Sequence, residues 1–172
     1  MNNRKGAHPG CSLISDGVLA NVALFLSTHI NKVDKKGRVS VPASFRATLA
    51  GEGFQGIVLF RSNVHMALEG FSFSYMQDLS RRLDDFDLFS AEQDDLATAV
   101  FGESVQLPID GDGRVVLPKD FIDFAGIDEQ AAFVGLGAKF QIWEPVSFKS
   151  RLETARRQVK DKNLTIPKGG AA

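Results

Sequence analysis

Apolar residues in this chain come in short runs separated by turn-forming residues, a pattern of β-hairpins more than of long helices. Ile57–Phe60 with Met66–Leu68 predicts one hairpin, and Phe133–Leu136 with Phe140–Trp143 predicts another. Two shorter β-branched runs, RVSV at 38–41 and RVVL at 114–117, predict brief strands. Each is followed by a proline, Pro42 or Pro118, suited to open the short helices expected over 43–50 and 119–126. Helical steps of three and four residues link Tyr75, Leu79, Leu83 and Phe86. They also link Phe148, Leu152, Ala155 and Val159 after Pro145. Each of these stretches predicts a longer helix.

The two halves repeat one phrase. DKKGRVSVP at 34–42 and DGDGRVVLP at 110–118 share Asp-x-x-Gly-Arg-Val-x-apolar-Pro, and Phe45 and Phe121 keep the same offset of 76. At that offset GIVLF (56–60) aligns with AFVGL (132–136); ALEGFSF (67–73) aligns with IWEPVSF (142–148) after one deletion. Three matches in order indicate a duplication. In each copy an extended segment leads into a tight turn. The Asp34 or Asp110 carboxylate is suited to accept hydrogen bonds from the turn's amides, and Gly37 or Gly113 supplies positive φ.

This organisation divides the chain into a disordered extension at 1–23, a first repeat at 24–89, a linker with a short helix at 90–102, a second repeat at 103–160 and a disordered tail at 161–172. The chain is 172 residues long with a net charge of −1, so its bulk charge does not suggest a general polyanion binder. Charge is segregated, however. Residues 29–46 hold Lys32, Lys35, Lys36, Arg38 and Arg46 against Asp34, a balance of +4. The matching window, 105–122, holds Arg114 and Lys119 against Asp110, Asp112 and Asp120, a balance of −1.

A single cysteine, Cys11, excludes an intrachain disulfide and a cysteine-based zinc cage, and the three histidines are scattered. No metal or cofactor is expected. No apolar run reaches the roughly 18 residues of a membrane span, so a cytoplasmic protein is expected. With no nucleophile–base arrangement and no phosphate-cradling glycine loop, an enzyme with a small-molecule substrate is not expected. The 14 phenylalanines, against one tyrosine and one tryptophan, point to a core and not to a base-stacking platform. Phe45, Phe121, Phe140 and Trp143 are assigned to that core, and His29 to a strand.

Taken alone, Arg38 fits two roles equally: a cross-turn ion pair to Asp34, worth at most about 1 kcal/mol when exposed, or a phosphate or base contact. Lys32, Lys35 and Lys36 fit a solvated face or a phosphate-binding one.

The doubled Asp-x-x-x-Arg motif (Asp34–Arg38, Asp110–Arg114), the opening FLSTHINKVDKKGRVSVPASFR and the later FQIWEP resemble the MraZ family of bacterial transcriptional regulators, over about 24–160. The resemblance implies an α+β fold: a duplicated, swapped-hairpin β-barrel of AbrB type with pseudo-two-fold symmetry, short and long helices packing around it. It implies a nucleoid-associated, ring-shaped homo-oligomer that binds tandem double-stranded DNA repeats in the promoter of its own division and cell-wall gene cluster. It also favours DNA contact for Arg38, with Lys35, Lys36, Lys32 and Arg46 around it. Asp34, Gly37, Asp110, Gly113 and Arg114 are expected mainly to shape the turns. Swapped-hairpin antitoxins leave a protein-binding module as the alternative function.

Overall fold

The computed structural model describes residues 24–83 and 90–167. The expected extension at 1–23, the end of the tail at 168–172 and Phe86 of the first long helix lie outside them. The fold is α+β. A mostly antiparallel sheet carries six strands in the order β1 (Thr28–Lys32), β7 (Gln130–Gly135), β8 (Phe140–Trp143), β4 (Leu68–Phe71), β3 (Gly56–Arg61) and β5 (Val105–Pro108). A separate two-stranded ribbon pairs β2 (Arg38–Ser40) with β6 (Arg114–Val116). Five helices are described: α1 (Ala43–Thr48), α2 (Phe73–Leu83), α3 (Ala91–Ala97), α4 (Lys119–Ala125) and α5 (Pro145–Asp161).

Among the described residues, only the β3–β4 and β7–β8 hairpins pair strands from the same repeat. β1 pairs with β7, β5 with β3, β4 with β8 and β2 with β6, and each of these joins one repeat to the other. The sheet order therefore reads the same from either end when each strand is replaced by its counterpart.

These pairings correct the alignment of the repeats. The offset of 76 holds through the motifs and α1 and α4. Beyond them, His29 lies opposite Phe133 and Val105 opposite Leu59, which matches Leu59 with Phe133, an offset of 74. Val58 lies opposite Phe71 and Ala132 opposite Trp143, which matches Phe71 with Trp143, an offset of 72. Two residues are lost before β7 and two more in the β7–β8 turn. The strand expected at Met66 begins instead at Leu68, and Met66 is largely exposed.

The continuous apolar runs follow from covering the sheet on both faces. Ile57, Leu59, Leu68, Phe133, Phe140 and Ile142 face a main core closed by Val39 and Val115 of the ribbon and by Phe45 and Phe121 of the short helices. On the other face, Val58, Phe60 and Phe71 meet Met76 of α2, while Ala132, Val134 and Trp143 meet Phe148 of α5. All four aromatics assigned to the core from sequence are buried. Between the two outer clusters runs a polar seam. Buried Glu69 accepts hydrogen bonds from Ser62 Oγ at 2.9 Å, Gln141 Nε2 at 2.7 Å and Lys139 Nζ at 2.9 Å; Gln141 in turn accepts from Trp143 Nε1 at 2.9 Å.

Helix ends follow local chemistry. The Glu144 carboxylate caps α5 by accepting from the Val146 and Ser147 amides, ahead of Pro145 in the first turn. Asn163, with φ of 47°, ends it in a left-handed cap in which Leu164 N–H donates to Val159 O. The helix thus runs one residue into the stretch expected to be a loose tail. Ser90 caps α3, which passes into one π-helical turn at Thr98–Gly102.

The turn glycines differ in what they tolerate. Gly37 has φ of 76°, and an added Cβ would lie 2.7 Å from the Leu117 carbonyl oxygen. Gly111, in the second turn, has open space around it. Gly37→Ala is expected to cost at least about 1 kcal/mol from the left-handed backbone alone, whereas Gly111→Ala should stay within about 0.5 kcal/mol. Urea denaturation of both variants checks this; equal stabilities would remove the backbone argument.

Candidate nucleic-acid interface

The ribbon is where the two motifs meet. Its short strands alternate, so Val39 and Val115 point into the core and are almost fully buried. Arg38, Ser40, Arg114 and Val116 occupy the other, outward face. Register places Arg38 beside Val116 and Ser40 beside Arg114, so the two arginines stand diagonally on one face. The ribbon is held at both ends by reciprocal backbone bonds between repeats: Val41 N–H donates to Gly113 O, and Leu117 N–H donates to Gly37 O, each at 2.9 Å.

The two turns share one set of bonds. In the first, Gly37 N–H donates to Asp34 O, and the Asp34 side chain accepts from the Lys36 and Arg38 amides at 2.8 and 3.0 Å. In the second, Gly113 N–H donates to Asp110 O, and Asp110 accepts from the Asp112 and Arg114 amides at 3.0 and 2.8 Å. The arginines then fold back on the same carboxylates. Arg38 Nε lies 2.6 Å from Asp34 Oδ2. Arg114 reaches two acids, Asp110 at 3.2 Å and Asp112 at 2.5 Å. The Arg38 backbone N–H holds the Asp34 carboxyl below its ordinary value against desolvation, and the Arg38 guanidinium and the Lys36 amide add to that lowering. The Arg114 amide does the same for Asp110. The hydrogen bond to Asp110 raises the already high Arg114 value, and the carboxylates of Asp110, Asp112 and, across the ribbon, Asp34 add to it. Each aspartate thus accepts from two turn amides and from its own arginine. The arginine side chains remain 40% and 34% exposed, so neither ion pair hides its guanidinium from a partner.

The other predicted contacts are spread more widely. Lys35 and Lys36 form the exposed tip of the first turn, where the second turn has Gly111 and Asp112. Lys32 shares the exposed face of β1 with Thr28 and Ile30. It therefore faces away from Asn31, whose side chain donates to Ser40 O of the ribbon at 2.7 Å. Arg46 is not beside the first turn. Its guanidinium packs against Gly113, so a Cβ there would meet Arg46 Nη1 first. Its counterpart Ile122 packs against Gly37 of the first turn in the same way. Along the chain Arg46 belongs to the basic window, but in space it lies over the acidic turn. His29 sits on β1, 3.3 Å from Ser44 Oγ and edge-on to Phe45.

Two residues on the outward face, Ser40 and Val116, were not singled out from sequence. The signal was available in the period of two along RVSV and RVVL, which places each on the same face as an arginine two positions away. Among the described residues no group of three His, Cys, Asp or Glu side chains is placed to hold a metal ion, and no helix is long and apolar enough to cross a membrane.

A family model described as "MraZ protein, putative antitoxin-like" matches twice, over residues 24–98 and 100–165. The chain is 43% identical over 143 residues to the transcriptional regulator MraZ of Rickettsia akari, covering 83% of this chain and 96% of that protein. It is 44% identical over 144 residues to the protein of the same name from Rickettsia bellii, with the same coverage of each. With both copies of the repeat matched and most of the chain covered, this protein belongs to the MraZ family.

Proposed function

We propose that this chain is a transcription regulator that binds double-stranded DNA sequence-specifically and carries out no chemistry. One observation carries the proposal: two arginines project from one solvent-facing face of a two-stranded ribbon whose inner face is locked into the core. A two-stranded ribbon fits the major groove, and arginine's paired donors match guanine O6 and N7. Phosphate contact then falls to Lys35 and Lys36 at the tip of the first turn. Arg38, bound to one carboxylate and flanked by these lysines, is the leading base reader. Arg114, bound to two carboxylates, is secondary, and Arg46 serves mainly to neutralise the second turn.

The pairing of every ribbon and edge strand across repeats supports a swapped-hairpin barrel with pseudo-two-fold symmetry. One ribbon offers few base contacts, too few for the tight binding usual in specific regulators. A ring of copies reading tandem promoter repeats, including those of its own division and cell-wall cluster, would gain from effective concentration. Such a protein would act at the nucleoid.

Arg38→Ala is expected to weaken binding to a DNA fragment spanning the protein's own promoter by about 1–3 kcal/mol, with the thermal transition unchanged; Arg114→Ala should cost markedly less. Lys35→Ala should make the negative slope of log K against log salt shallower by about 0.9. Fluorescence anisotropy across a salt series measures all three, and unchanged binding by Arg38→Ala sinks the proposal. Scrambling all but one repeat of a tandem site should collapse affinity, and equal affinity for single and tandem sites would exclude multivalent reading.

Acid should act on the turns in one direction. Both aspartates have folded values below the ordinary 3.8, so the stability they contribute is complete above 3.8 and is lost as pH falls through the lowered values. The turns are thus insensitive around neutral pH. An NMR titration of the side-chain carboxyls should return midpoints below 3.8 for both, and a midpoint at or above it would contradict the bonding described.

A further inference from the structure

The outward face of the ribbon is balanced in arginine and unbalanced in what stands beside each one. Arg38 has Val116 as its cross-strand neighbour, whereas Arg114 has Ser40. Val116 is 55% exposed and belongs to none of the three hydrophobic clusters. The ribbon's packing is already supplied by Val39 and Val115 from its other face. An exposed branched apolar side chain beside the Arg38 guanidinium therefore lacks a packing role in this chain.

Its position suits one ligand chemistry. Directly opposed residues on an antiparallel pair have Cβ atoms about 4.5–5.5 Å apart. Successive bases on a DNA strand are about 3.4 Å apart. Side chains as unequal in length as arginine and valine, standing side by side, therefore reach neighbouring base pairs. The 5-methyl group of thymine is the apolar feature that unmodified DNA shows in the major groove. Building on the DNA-reading face argued above, we propose that Val116 is a specificity-determining residue that contacts a thymine methyl next to the base read by Arg38. Ser40 holds the equivalent place beside Arg114. Its hydroxyl accepts or donates and so discriminates little. The two halves of the ribbon thus differ in what they read, the Arg38 half being the more selective.

The test begins with selection of a preferred duplex from a random library by the full chain, followed by replacement of each thymidine in turn by deoxyuridine. This removes only the methyl. At one or more positions the wild-type protein is expected to lose about fourfold in affinity, the value of one buried methyl-sized group. Val116→Ser should abolish that sensitivity while binding the thymidine and deoxyuridine duplexes equally. Val116→Thr, which keeps one methyl, should retain most of it, and thermal unfolding checks that both variants are folded. An enriched duplex with no methyl-sensitive position, or sensitivity that persists in Val116→Ser, overturns the assignment of Val116 while leaving DNA reading intact. A library that yields no enriched duplex overturns the DNA reading itself and this inference with it.

Discussion

Neither repeat satisfies its own backbone. The edge of β7 is covered by β1 from the first repeat, the edge of β3 by β5 from the second, and the ribbon takes one strand from each. A buried strand edge without a partner leaves amides and carbonyls unbonded at a cost of about 1–3 kcal/mol for each group. The two copies are therefore obliged to interlock. That requirement places the motifs: β2 and β6 pair with each other, so both arginines come to one face although 76 positions separate them. The reciprocal bonds from Val41 to Gly113 and from Leu117 to Gly37 tie each turn to the other repeat's strand.

Much of this was legible in the sequence because it is local. Asp-x-x-Gly fixes a turn through its own amides and one positive φ, whatever surrounds it. The apolar runs, the prolines at the helix starts and the phenylalanine-rich core follow from short-range rules of the same kind. The register of the repeats beyond the motifs was not legible. Slipping an apolar strand by two residues leaves every side chain on its original face, so alternation cannot detect the two-residue deletion before β7. The later alignment stands at an offset of 75 where the strands give 72, because it follows the Ser-Phe of Ser72–Phe73 and Ser147–Phe148 across a turn of different length. The side on which Arg46 lies was equally hidden. Its contact with Gly113 crosses from one repeat to the other, and a charge count along a window assigns it to the wrong turn. The contrast between a basic and an acidic turn is accordingly weaker in space than along the chain.

What the apolar pattern leaves open, the polar seam fixes. Glu69 stands directly opposite Gln141 at the junction of β4 and β8, and its carboxylate oxygens are met by Ser62, Gln141 and Lys139. A slip of two residues between these strands would keep the hydrophobic faces in place but would strand a buried carboxylate away from its donors. That penalty falls on the central pairing of the sheet, where the two repeats meet. A buried polar group used in this way specifies alignment more than it adds stability.

The covalent union of two hairpins in one chain has a consequence for orientation. Two identical chains contributing one strand each would build a face with a true dyad, equal in both directions, and such a face suits palindromes. Here the strands come from one polypeptide, and the positions related by duplication have drifted apart: Ser40 against Val116, the lysine tip against Gly111 and Asp112. The face therefore has a front and a back. In the DNA-reading role proposed above, such a face would have a heading, and copies sharing that heading would match sites that all point the same way.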